Sequence, residues 1–302
     1  MKYSSNLALL DLAGNFLKDL PVHLWKKINK LHELDVSNNP IPGLRVNSFA
    51  GLERLQNLDI RKLPLKWLDP ELFMNYGFLT TFKTDSYSTV RSFRLQDLLS
   101  NALALRSVTI DIEESSLSHQ IQSAFGTKLR ELIISGSNLR RIFPDALSGL
   151  STYELTIRIR GTLVTEFPTG LLKYLSDVRF LTLDLRNNQL RTMAPNVLAE
   201  VTRSGMDIYQ TQHITGGVLL EDNPWACSCE LVWMGKWLRR WLRETFHVHM
   251  LSIEAMLYVN SVARKTRCSV PNTNITFAVI VLRPSDIHCQ KVLEMPSARL
   301  VR

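Results

Sequence analysis

The chain has 302 residues, enough for one or two domains, and 45% of them are hydrophobic, ample for a core. Its net charge of +8, from 36 basic and 28 acidic residues, is moderate and spread along the sequence, and it argues only weakly for acidic partners. No glycine-rich phosphate loop, zinc-finger spacing, RNA-binding signature or low-complexity segment occurs, so no nucleic-acid partner is expected, and this stretch of sequence carries no transmembrane run.

The N-terminal stretch MKYSSNLALLDLAGN is not a secretory leader. A charged residue interrupts its leucines, which already stand in a frame: Leu7, Leu10, Leu12, Asn15, Leu17. Leu31, Leu34, Val36, Asn39 and Ile41 repeat it, and Leu55, Leu58, Ile60 and Leu65 do so again with Leu63 at the Asn place. Leu79, Phe82 and Thr84 follow, with Tyr87 at that place, then Leu105, Val108 and Ile110, then Leu129, Leu132, Ile134 and Leu139 with Ser137 for Asn. Leu155 and Ile157 make a seventh rung. Phe180, Leu183, Leu185, Asn188 and Leu190 make the cleanest one, and Val218, Leu220 and Asn223 the last. The frame L-x-x-L-x-L-x-x-N-x-L at a fixed period is the signature of a leucine-rich repeat. It predicts an α/β fold: a curved right-handed solenoid, or horseshoe, of about nine repeats with a parallel concave sheet.

Alternation within each rung marks a short half-buried strand. Apolar residues between rungs, such as Phe49 and Leu52, Leu72 and Phe73, or Ile142, Phe143 and Leu147, line the convex side. The Asn is placed to satisfy inward-facing backbone groups from coil to coil, so Leu63 predicts a looser turn. Between the strand leucines an outward row runs Asp11, Asp35, Asp59, Lys83, Thr109, Ile133, Thr156, Asp184, Leu219. Two residues on, a second row runs Ala13, Ser37, Arg61, Asp85, Asp111, Ser135, Arg158, Arg186, Glu221. From these rows Asp11, Asp35, Asp59, Arg61, Lys83, Arg158, Asp184 and Arg186 are the candidate concave binding face, the usual ligand surface of a solenoid. The frame is least regular over 84–125, and it lapses over 191–214, which predicts an extended loop before the last rung. No cysteine cap precedes the first rung, so the sequence is expected to be the C-terminal piece of a longer protein or the product of an incomplete gene model.

The four cysteines, Cys227, Cys229, Cys268 and Cys289, all fall in the last quarter of the chain, and spacing alone allows three pairings. The stretch LEDNPWACSCE resembles the start of the C-terminal flanking cap of extracellular leucine-rich repeat proteins. That resemblance implies Cys227–Cys268 and Cys229–Cys289 disulfides, and an oxidising compartment. Expected boundaries are 1–220 for the solenoid, 221–289 for the cap and 290–302 for a disordered tail. Within the cap, Met234, Trp237, Leu238 and Trp241 form one apolar helix face that seals the core. Lys236, Arg239, Arg240 and Arg243 form a basic face toward solvent. Asn274 opens an N-glycosylation sequon in a surface loop.

The run GKWLRRWLRE is similar to the arthropod chaoptin and connectin group of adhesion proteins. The resemblance implies a non-catalytic ectodomain, extracellular or at the cell surface, whose partner is a protein ligand or receptor, copies of itself included. The alternative is a soluble innate-immune or matrix recognition module, binding anionic glycans through the basic cap helix. Seven scattered histidines come without a nucleophile motif or metal pair, so neither an enzyme nor a cofactor is expected.

Overall fold

The computed structural model describes residues 6–74, 76–91, 93–122, 128–175, 178, 180–198, 217–248 and 253–289. The chain divides into two compact units, Met1–Leu139 with Ala146–Thr152, and Arg140–Asp145 with Tyr153–Arg302.

The main sheet takes six parallel strands from the described residues of the first unit: β1 (Leu9–Asp11), β2 (Glu33–Asp35), β3 (Asn57–Asp59), β4 (Thr81–Asp85), β5 (Ser107–Asp111) and β6 (Glu131–Gly136). Their register sets Leu10, Leu34, Leu58, Phe82, Val108 and Leu132 in one row. From Leu34 to Leu132 that row is fully or almost fully buried, while its neighbours along the strands, Asp59 excepted, reach solvent. The period of two therefore turns one side of every strand to the core. Phe49, Leu52, Leu72 and Phe73 fill the opposite wall, with Phe73 edge-on to Phe82 at 4.8 Å. Where the frame is irregular the strand register still holds from β4 through β5 to β6, and a short helix, Leu95–Leu99, buries Leu95, Leu98 and Leu99 between β4 and β5.

The turns after the strands repeat one device. Gly14, Asn38 and Lys62 take positive φ at equivalent places, as do Gly161, Asn187 and Asp222 in the second unit. Glycine and Asn/Asp tolerate that region best, which explains their use there. Next to them the Asn side chains stitch rung to rung. Asn39 Nδ2 donates to Leu12 O and Val36 O, and its Oδ1 accepts from Leu17 N. Asn188 Nδ2 donates to Ile159 O and Leu185 O, and Asn223 Nδ2 to Leu185 O and Leu220 O. The turn at Leu63 is tied down as well, contrary to expectation. Ile60 O, the carbonyl that an amide at 63 would reach, accepts instead from the Tyr87 hydroxyl, and Lys62 N–H is held by Asp85 Oδ2. The following rung supplies what Leu63 lacks.

The second unit holds three parallel strands among the described residues, β7 (Glu154–Thr162), β8 (Phe180–Asp184) and β9 (Gly217–Leu219). Here the register corrects the expected frame. Ile157 lies beside Leu183 and Val218, and Arg158 beside Asp184 and Leu219, so Arg158 belongs to the first outward row and Thr156 pairs with Thr182. Leu155, Ile157 and Ile159 are all buried in this nine-residue strand, so alternation alone cannot choose among them. The turn decides: Gly161 takes the positive φ, and Thr162 takes the Asn place, with its N–H and hydroxyl on Asn188 Oδ1. Phe143, expected in the core, is 38% exposed.

The cap follows as helices α1 (Val232–Val248) and α2 (Ile253–Lys265) and an antiparallel pair, β10 (Arg267–Ser269) with β11 (Thr276–Ala278). Cys227 is joined to Cys268 and Cys229 to Cys289, which leaves no free cysteine. Trp237 and Trp241 stack in parallel at 6.1 Å, and with Met234 and Leu238 they are at most 1% exposed. Trp233, also buried, donates from Nε1 to Met193 O, and Trp225 to Leu220 O. Gly235 lets α1 approach the Val279 carbonyl, since a Cβ there would lie 2.4 Å from that oxygen. Most of the expected loop, 199–216, and the tail 290–302 lie outside the described residues. Among the described residues no helix is long and apolar enough to cross a membrane.

Candidate functional site

In the first unit the outward row of acids is tied mainly to its own turns. Asp11 Oδ1 accepts from Ala13 N, and Asp35 Oδ1 from Ser37 N, each at 2.8 Å. Asp59 does the same for Arg61 N, then pairs with the Arg61 guanidinium at 2.6 Å and with Lys83 at 3.7 Å. The carboxylate two residues before each turn thus caps it as an Asx turn. Asp59 is buried under its two cations, and its hydrogen bond to Arg61 raises that guanidinium above its ordinary value.

A second acidic group lies beyond that row. Asp85 and Asp111 are neighbours in register at the ends of β4 and β5. Ser135 Oγ donates to Asp111 at 3.0 Å, Ser88 binds Glu113 through N–H and hydroxyl, and the Ser86 hydroxyl donates to Glu114. Burial pushes the Asp85 carboxyl up to about 6. The Lys62 N–H works against this, and the charges of Asp111 and Glu113 add to it. Among the described residues no group of three or more His, Cys, Asp or Glu is arranged to hold a metal ion.

The second unit gathers three arginines on one carboxylate. Asp184, 1% exposed, is gripped by Arg186 through Nε and Nη2, both at 2.9 Å, with Arg158 Nη1 at 3.5 Å and Arg160 Nη2 at 3.4 Å. Burial alone would raise the Asp184 carboxyl, but the Arg186 hydrogen bonds and the charges of Arg186 and Arg160 outweigh it and hold the carboxyl below its ordinary value. Arg186 is raised in turn, chiefly by its hydrogen bond to Asp184. Glu221 stands 3.9 Å from Arg186. Arg160, absent from the expected face, is the residue that the displaced frame hid. Counting back from Thr162 at the Asn place would have found it. Each of the three arginine side chains keeps about a third of its surface in solvent.

On the cap, Lys236, Arg239, Arg240 and Arg243 are all exposed on α1. Arg239 donates to Ile280 O. Asn274 is exposed in the turn that joins β10 to β11.

Residues 5–62 match the sequence model of the family described as leucine rich repeat. The chain is 25% identical over 164 residues to chaoptin of Tribolium castaneum, a match that covers 54% of this chain and 20% of that protein, so the chain spans about a fifth of that relative's length. Human 5T4 (Wnt-activated inhibitory factor 1, trophoblast glycoprotein) superposes with a TM-score of 0.60 at 16% identity, over 92% of this chain and 93% of that one. The Drosophila Toll–Spatzle complex gives 0.49 at 20% identity over 75% and 28%. The fold is a leucine-rich repeat solenoid with a disulfide-bonded C-terminal cap.

Proposed function

We propose that the chain is a protein-recognition module that works outside the cell by surface matching, with no chemical step. The observation that carries this reading is the cluster of Arg158, Arg160 and Arg186 around buried Asp184. Three guanidinium groups converge on the buried Asp184 carboxylate, and Glu221 stands 3.9 Å from Arg186, so among these described residues the cations outnumber the carboxylates three to two. Arginine held in this way, with its fork pre-oriented and part of its surface wet, suits contact with a partner's carboxylates. The cluster lies on the strand face that solenoids commonly use as their concave ligand surface. Both disulfides fit an oxidising, extracellular setting. The likeness to chaoptin over 164 residues supports an adhesive role at a cell surface, partners identical to this chain included.

The test is clustering of beads coated with the chain, and their capture by cultured insect cells. Arg158→Ser with Arg160→Ser should reduce attachment at least tenfold while the fold survives, because Arg186 still neutralises Asp184. Unchanged attachment would overturn the assignment of this face. The exposed basic row of α1 favours a second reading, an anionic glycan as partner. Heparin retention lost on neutralising Arg240 and Arg243, with the Arg158 and Arg160 variant behaving normally, would favour it.

A further inference from the structure

In the cap, α1, α2 and the segment after β11 surround a depression of about 570 Å³. Lys236, Arg239 and Arg243 reach it from α1 and Arg264 from α2, while Leu242, Ile280 and Val281 supply its apolar lining. The helical period sets this up, since positions 236, 239 and 243 fall on one side of α1. Leu242 and Ile280 are nearly buried and close the bottom; Val281, 55% exposed, leaves an apolar wall open to water. Among the described residues the lining holds no carboxylate. Two of its cations are oriented by uncharged partners. Arg239 donates to the Ile280 carbonyl, and Arg264 Nε donates to Asn260 Oδ1 at 2.8 Å. These bonds fix the guanidinium groups without neutralising them. Arg239 is held below its ordinary value by burial and by the charges of Arg283 and Arg243, as expected of cations crowded together.

A volume of this size lies within the usual range for small-molecule sites, which combine an apolar lining with a few convergent polar groups. We propose that the pocket binds a small anionic amphiphile, with its oxyanion head on Arg239, Arg243 and Arg264 and a short aliphatic body against Val281, Ile280 and Leu242. A wholly polar anion, such as a sulfated sugar, would use the cations but leave the Val281 wall wet. This site is independent of the strand-face arginines and goes beyond the glycan reading of α1.

The experiment is calorimetric titration of the intact, disulfide-bonded chain with sodium octyl sulfate below its critical micelle concentration. Parallel titrations use sodium sulfate, a heparin hexasaccharide, and phosphatidylcholine vesicles containing phosphatidylserine. The proposal expects one saturable octyl sulfate site at least tenfold tighter than sulfate. Arg243→Gln with Arg264→Gln should weaken it at least tenfold, and Val281→Ser should weaken octyl sulfate several-fold without affecting sulfate. All three positions are on the surface, and an unchanged circular dichroism spectrum confirms folding. The proposal is overturned if octyl sulfate binds no tighter than sulfate, if the variants bind it unchanged, or if only the hexasaccharide or only the vesicles bind.

Discussion

Replacing Asn188 with leucine removes the most heavily used side chain of the inter-rung ladder. Its Nδ2 serves Ile159 O at 2.7 Å and Leu185 O at 2.8 Å, and its Oδ1 accepts from Thr162 N and Oγ1 at 3.2 and 2.6 Å. Leu185 O would keep Asn223 Nδ2, also at 2.8 Å, whereas Ile159 O and Thr162 N–H would be left buried without these partners. Each such orphan costs about 1–3 kcal/mol. Leucine gains some apolar burial, but it is larger than the amide it replaces, so the net loss should be about 2–4 kcal/mol. Reversible urea unfolding, followed by tryptophan fluorescence with disulfides intact, reads this as a lower midpoint. The Leu63 turn supplies the control. Tyr87→Phe should cost about 1–2 kcal/mol by stripping Ile60 O of its donor. Leu63→Asn should stabilise only in that background, so the two changes are non-additive. Asn188→Leu within 1 kcal/mol of the parent, or strict additivity of the Leu63 and Tyr87 changes, would refute the reasoning.

Three further outcomes are expected. Asp85 has a folded carboxyl pushed up to about 6 by burial, above its unfolded value near ~3.9, so its contribution is full below pH ~4 and is lost as pH rises through about 6. That displacement corresponds to about 3 kcal/mol, roughly halved by solvent screening. Asp85→Asn should therefore raise stability by about 1–2 kcal/mol at pH 7.5 and not at pH 4, and a gain that is the same at both pH values would contradict the assignment. Cys229→Ser with Cys289→Ser opens a loop with a sequence separation of 60 and should cost about 4 kcal/mol by chain entropy; calorimetry should show a lower melting temperature. Gly235→Ala places a methyl group against Val279 O and should cost about 1–3 kcal/mol, unlike the same change at Gly77, which meets nothing within 4 Å.

The rungs were legible because buried apolar residues must recur at the strand period and the solenoid period together. Leu34, Leu58, Phe82, Val108 and Leu132 stand in one register row as the spacing implies. The cap was legible from its cysteines and from the Trp237–Trp241 face, since both answer to local spacing. The register of β7 was not, because Leu155, Ile157 and Ile159 satisfy alternation equally well. Only the turn residues Gly161 and Thr162 break the tie. The strand-face acids were visible, but their role was not. A sequence shows that Asp35 points outward without showing that Ser37 N–H already occupies it. Nor does it show that Tyr87 reaches back to Ile60 O, a contact between side chain and backbone set by stacking and not by a motif.

The central claim is that the strand-face arginines of the second unit carry a protein contact. Binding of fluorescently labelled chain to intact insect cells tests it most directly, measured by flow cytometry after trypsin or heparinase treatment of the cells. Binding should be saturable, removed by trypsin and spared by heparinase, at least tenfold weaker for Arg158→Ser with Arg160→Ser and unchanged for Arg240→Gln. Full binding by the double variant, or binding that heparinase removes and trypsin spares, would contradict it.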